Sequence, residues 1–346
     1  MEKSLLEVQS ALIEACVQLH LLQPLQIPQL DGGNAWWLSL ILAGDAFRRA
    51  ISNSVTHKAR LSFTVWRALP QRVLRPADEP AKMASFIIFK FSPERSNVTQ
   101  VSGTWSEAQI VGHACEYYEP AQLNPHGYVV IYLHGVHLNR LHDKPAFMRQ
   151  FDRYGLRVVC PRTQRSWWTD RICEEFDSQM TAQRYVVEHV TAWIRDHWEV
   201  ASPRIALLGT SMGGQGALRI AFKHPQLFPV VAAISPAIDY HLRMDEGDET
   251  LNAMYPDKEA ARQDTAILHV HPLNWPRNLW FCCDPVDQRW HESAERLRMK
   301  LAALGIPFEM DLETSGGGHG FEYYSRMADK AFAFITERLE SERLRA

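Results

Sequence analysis

Residues 205–223 limit the fold more than any other stretch of the chain. Ile205 to Leu208 is a continuous apolar run with the length of a buried strand. Gly209-Thr210-Ser211-Met212-Gly213 follows, and then Ala217, Leu218 and Ala221 recur at helical spacing. Strand, G-x-S-x-G, helix is a sharp turn with a serine at its tip. Bulky neighbours would clash there, and Gly209 and Gly213 remove the Cβ atoms that would collide. The turn lifts the Ser211 hydroxyl clear of the sheet and sets it at a helix N-terminus, where free N–H groups favour negative charge. The plainer alternative is a tight strand–helix turn with an incidental serine. The flanking elements favour a nucleophile.

The rest of the composition narrows the class. A chain of 346 residues with 46% hydrophobic content can bury a large core in one or two domains. A net charge of −3 gives no polyanion-binding surface, so nucleic acid is not expected as a partner. The six cysteines include no C-x-x-C pair, and Cys282 and Cys283, neighbours on a strand, should point to opposite faces as small buried groups. The opening residues lack a basic segment followed by an apolar core, and no run reaches the ~18 apolar residues of a membrane span. A cytoplasmic enzyme with no membrane span is the expectation.

Taken in order, residues 1–83 read as a helical N-terminal extension followed by a linker carrying Pro70, Pro76 and Pro80. Three roles stand open for it: cover over the main domain, a homodimer contact, or a loosely attached extension. Residues 84–346 read as the catalytic domain. A strand is expected at 86–89, and an antiparallel pair at 98–105 and 108–117 turning at Ser106-Glu107. Strands follow at 127–133, 156–160, 205–208, 230–234, 279–283 and 308–312. Helices are expected at 143–153, 176–198, after the Ser211 turn, at 291–304 and at 321–340, with a mixed stretch over 237–276. Strands alternating with helices mean an α/β fold with a mostly parallel central sheet covered by helices on both faces. In such sheets, active residues gather beyond the strand C-terminal ends.

A serine hydroxyl needs a base, and the base an orienting acid. His319, between Gly316-Gly317-Gly318 and Gly320 after the last strand, is placed to be the base, although composition alone selects none of the 15 histidines. Asp284 and Asp287 both follow the 279–283 strand and precede His319. Asp287 is the preferred acid, and the other carboxylate would shape the turn or cap the next helix. Donors for a developing oxyanion are expected from the Met212 N–H and from the loop after 127–133, at Val136 or Gly135. Trp167 and Trp168 could wall an acyl or alcohol pocket or pack beneath their loop, and Tyr240 and Trp275 are weaker candidates of the same kind. His137, Asn139 and Arg140 could meet a polar substrate or form a solvated loop. His269 and His271 lack the further ligands of a metal site, so no metal is expected.

His134-Gly135, Gly209-Thr210-Ser211-Met212-Gly213-Gly214, the stretch from Cys283 to Asp287, and Gly317-Gly318-His319-Gly320-Phe321-Glu322-Tyr323 together resemble the α/β-hydrolase superfamily. The likeness is to its esterase branch, similar to esterase D and S-formylglutathione hydrolase, and covers roughly residues 108–340. In that branch the acid often falls in a G-x-x-D pattern. Asp287 holds the acid position, with Asp284 where the glycine would be. The resemblance implies an α/β-hydrolase fold and hydrolysis of a small-molecule carboxylic ester or thioester, without metal or organic cofactor. His134, before the oxyanion loop, is a further candidate substrate contact. An acyltransferase on the same scaffold and a non-catalytic binder with a hydrolase fold are the alternatives. A propeller-bearing peptidase is disfavoured because residues 1–83 are short and helical in pattern.

Overall fold

A computed structural model describes residues 103–345. The extension and linker expected over 1–83, the boundary at 84 and the strand at 86–89 lie outside the described residues. Among the described residues eight strands form one sheet: β1 (Thr104–Ile110), β2 (His113–Glu119), β3 (Val129–Leu133), β4 (Arg157–Pro161), β5 (Ile205–Thr210), β6 (Val230–Ile234), β7 (Asn278–Cys282) and β8 (Glu309–Asp311). Their spatial order is β1-β2-β4-β3-β5-β6-β7-β8. β1 and β2 pair antiparallel, as do β2 and β4, and every other pairing is parallel.

The expected hairpin is present but its turn is not at Ser106-Glu107. β1 and β2 meet at Val111-Gly112, with φ of 50° and 81°. Two consecutive positive φ values define the two-residue turn whose twist matches the flanking strands. Gly112 accepts that conformation freely. Val111, a β-branched residue that reads as strand, does not advertise it.

β3 is Val-Val-Ile-Tyr-Leu, and all five residues are buried because helices cover both faces. Val129, Ile131 and Leu133 join Ile205, Leu207, Leu218 and Ala221 on one face. Val130, Tyr132, Ala206 and Leu208 join Phe147, Phe151, Met327 and Phe332 on the other. Each such buried side chain contributes about 1.5–3 kcal/mol relative to exposure. The second face is covered by α1 (Pro145–Tyr154) and α7 (Phe321–Arg343). The first is covered by a composite helix α2, by α3 (Met212–Lys223) and by α6 (Gln288–Ala303). α2 runs through Ala182–Arg184, a π-helical stretch at Tyr185–Val190, and Thr191–Trp198. It starts later than the expected 176. Cys282 and Cys283 fall in opposite faces, as a period of two requires.

Between β6 and β7 lie two short helices, α4 (Glu249–Met254) and α5 (Lys258–Gln263), flanked by 3₁₀ turns at Tyr240–Glu246 and Ala266–His269. Asp248 and Asp257 cap α4 and α5 by accepting from Leu251 N–H and Ala260 N–H. A buried cation fastens the segment to α3. The Arg219 guanidinium, 1% exposed, donates to the Asp264 carbonyl at 3.0 Å, to its carboxylate and to Gln183. Gln215, also on α3, donates to Trp167 O and accepts from Ala266 N–H, each at 3.0 Å.

Candidate active site

Parallel register brings the ends of β3, β5, β6, β7 and β8 to one edge of the sheet. Ser211 follows β5 with φ 54° and ψ −119°, a conformation that L-residues rarely adopt and that the surroundings must enforce. Its N–H donates to Ile234 O at 3.0 Å, and its carbonyl accepts from Gln215 N–H and Ala237 N–H. A Cβ on Gly209 would lie 2.0 Å from Gly213 O, and one on Gly213 would lie 1.8 Å from Leu133 O. Both glycines are therefore required by close backbone approach, as the sequence pattern suggested.

The glycine loop after β8 delivers His319 to this serine. His319 Nε2 lies 2.8 Å from Ser211 Oγ, and Nδ1 lies 2.5 Å from Asp287 Oδ2. Asp287 occupies the N-cap position of α6 yet makes no capping hydrogen bond, which leaves its carboxylate to the imidazole. The Cys283 thiol also points to that oxygen, at 3.8 Å. Asp284 does different work. It is fully buried and accepts from Val286 N–H at 2.9 Å, Ser315 Oγ at 2.9 Å, Gly316 N–H at 2.7 Å and Gly318 N–H at 2.8 Å. Burial pushes its carboxyl up, but these four donors outweigh that and hold it below the usual carboxylate range. Asp284 thus ties the loop that carries His319 to the end of β7.

The loop after β3 lies against the serine. A Cβ on Gly135 would be 3.3 Å from Ser211 Cβ. Met212 is the first residue of α3, so its N–H has no intrahelical acceptor. Among the described residues, neither Gly135 N–H nor Val136 N–H is bonded to a backbone acceptor. The site therefore holds a serine, an imidazole, a carboxylate and a set of uncommitted N–H groups at one point.

Four candidate substrate contacts are placed otherwise. Trp167 and Trp168 are 1% and 0% exposed, so neither offers a wall to a bound molecule. Trp167 stacks on Tyr240 at 5.0 Å, and Trp168 meets the His134 ring edge-on at 4.9 Å. Both indoles are turned inward because residues 167 and 168 adopt φ of 54° and 56°, which no propensity foretells. His134 is itself buried. Desolvation lowers its imidazole from 6.5 to about 4, so it is neutral at physiological pH. Arg140 turns to Glu107 and Glu116, forming ion pairs with both.

Sequence reasoning did not find Tyr324. Its ring meets the His319 ring edge-on at 5.8 Å. Burial holds the phenol well above its ordinary range, so it stays protonated. Its place in the first turns of α7, just after His319, was the available signal. Among the described residues no group of three or more His, Cys, Asp or Glu could hold a metal ion, and no helix is long and apolar enough to cross a membrane.

Known proteins give this arrangement a context. No curated protein sequence matches the chain. An S-formylglutathione hydrolase from Agrobacterium tumefaciens superposes with a TM-score of 0.54 at 20% identity, over 69% of this chain and 99% of that one. FphF, a fluorophosphonate-binding serine hydrolase of Staphylococcus aureus, gives 0.55 at 15% identity over 68% and 99%. The S-formylglutathione hydrolase FrmB of Staphylococcus aureus gives 0.52 at 14% identity over 68% and 98%. At these identities the likeness is one of fold. The model of the family described as "Putative esterase" matches residues 115–306, more than half of the chain. That span runs from β2 through the Ser211 turn and Asp287 to the end of α6, and with the α/β-hydrolase sheet it establishes that the chain belongs to this esterase family and is an esterase.

Proposed function

We propose that the protein hydrolyses a small-molecule carboxylic ester or thioester through an acyl-enzyme on Ser211. The single observation that carries this is the hydrogen-bonded chain from Ser211 Oγ through His319, 2.8 Å from it, to Asp287, 2.5 Å further on. In that chain, His319 Nε2 takes the Ser211 proton as Oγ attacks the acyl carbon. Asp287, bonded to Nδ1, holds the tautomer and stabilises the imidazolium. Charge leaving for the acyl oxygen meets the Met212 N–H and the loop N–H groups at 135 and 136. The imidazolium then gives its proton to the departing alcohol or thiol. Water repeats the sequence on the acyl-enzyme, releasing the acid and restoring Ser211.

The test is labelling by a fluorophosphonate and turnover of p-nitrophenyl esters of graded acyl length. Ser211→Ala should lose labelling and about 10⁴-fold or more in kcat while its melting temperature stays near wild type, because the hydroxyl is a small part of the packing. Near-normal turnover in that variant would refute the acyl-enzyme.

A further inference from the structure

His134 and Trp168, set aside above as substrate contacts, belong to one closed circuit of hydrogen bonds. Trp168 Nε1–H donates to His134 O at 3.1 Å. Trp168 N–H donates to Ser166 Oγ at 3.3 Å, and Ser166 Oγ–H donates to Thr163 Oγ1 at 2.9 Å. Thr163 N–H donates to His134 Nε2 at 3.3 Å. Since Nε2 accepts there, the neutral ring carries its proton on Nδ1, and Nδ1–H donates to Gly135 O at 3.0 Å. Leu138 N–H donates to the same carbonyl at 3.0 Å.

The two carbonyls so held are those of the 134–135 and 135–136 peptides. In a trans peptide the N–H points opposite to the C=O. Fixing His134 O against Trp168 therefore turns the Gly135 N–H away from the indole. Fixing Gly135 O against His134 and Leu138 turns the Val136 N–H out of the loop. Serving this circuit has a conformational cost. Left-handed backbone at two successive bulky residues, Trp167 and Trp168, amounts to about 1–3 kcal/mol each and persists only where the surroundings impose it. α3 supplies part of that constraint, since a Cβ on Gly216 would lie 2.3 Å from Trp168 Cβ.

We infer that Trp168 and His134 are positioning residues that set the orientation of the oxyanion-loop N–H groups beside Ser211. The inference rests on the serine-hydrolase reading above. An indole that merely filled space would be replaced by a phenyl ring at little catalytic cost, whereas an indole whose N–H aims a peptide would not.

The experiment compares wild type with Trp168→Phe, which keeps an aromatic ring and removes the donor. Turnover of p-nitrophenyl acetate is measured with the affinity for a boronic acid that forms a tetrahedral adduct on Ser211. The expected result is a kcat about 10- to 100-fold lower at unchanged KM, with boronate affinity weakened by the same factor. A folded Trp168→Phe with wild-type kcat, or with reduced kcat and unchanged boronate affinity, overturns the inference. If Trp168→Phe does not fold, Ser166→Ala decides, because it deletes only one oxygen of the circuit. It should show the same paired loss at about 5-fold, the equivalent of one hydrogen bond, and no paired loss overturns the inference. Failure of the underlying reading is seen separately, in wild type, as the absence of Ser211-dependent fluorophosphonate labelling.

Discussion

The two sides of the site are held by different physics. On the nucleophile side, the Ser211 turn is fixed by contact between backbones. Gly209 and Gly213 sit where any Cβ would fall within 2.0 Å of a neighbouring carbonyl oxygen. On the base side, the loop of residues 315–319 is fixed by hydrogen bonds to one buried carboxylate, and the atoms that a Cβ on Gly316 or Gly317 would meet belong to the side chains of Arg326 and Glu322 rather than to backbone. Steric fixation is insensitive to solvent and intolerant of added atoms. Polar fixation responds to charge. The comparison teaches that the Ser211 turn is held by shape and the His319 loop by charge, so variants on the two sides should fail in different ways.

The largest effect is expected where the two sides meet. Asp287→Asn should lower kcat by about 10³- to 10⁴-fold with little change in melting temperature, since it misorients the imidazole without unpacking anything. Kinetics and thermal melts on one preparation check this, and retained activity would break the comparison at its centre. Gly209→Ala should instead fail by folding. Its new Cβ would displace backbone atoms at 2.0 and 2.2 Å, costing about 3 kcal/mol or more, readable as a lowered denaturation midpoint.

Acid should also separate the sides. His134 has its folded value lowered from 6.5 to about 4 by burial, so the unfolded chain binds the proton more readily across that window. Stability should therefore fall as pH drops from about 6.5 to about 4, by on the order of 3 kcal/mol, and His134→Gln should remove that part of the slope. Asp284 has a lowered folded value, so its contribution is complete above the ordinary Asp range and is lost only as pH falls through that lowered value. Melting curves across pH for wild type and His134→Gln test the order. The smallest effect is expected for Asp284→Asn. An amide cannot accept from all four donors, so a loss of about 1–3 kcal/mol in stability should accompany a roughly 10-fold loss in kcat as His319 drifts. If Asp284→Asn were as inactive as Asp287→Asn, the tether and the orienting acid could not be told apart.

What the sequence disclosed follows the same division. Strands such as Val230–Ile234 stand at their expected bounds because runs of buried β-branched residues carry their own signal. The Ser211 turn was legible because glycine is needed at both flanks. Contacts across long sequence distances left no such trace. Asp284 reaches residues 31 to 34 positions away, and nothing local to Asp284 shows that its partners are N–H groups of the His319 loop. The inward turn of Trp167 and Trp168 depends on left-handed backbone that bulky residues do not advertise, so two aromatic side chains after a strand read as a pocket wall. The hairpin turn at Val111 escaped for the same reason.

The Arg219 cluster bears on motion. The stretch from Tyr240 to His269 occupies the place where a hinged lid could sit, but its inner face is anchored by a guanidinium only 1% exposed. Lifting it would strand that charge in the core, and an uncompensated buried charge costs about 3–5 kcal/mol. Such an open state would be occupied by one molecule in about 160 to about 5,000. The closed arrangement of this stretch is therefore the dominant one, and lifting it is an event with an energetic cost rather than a free fluctuation.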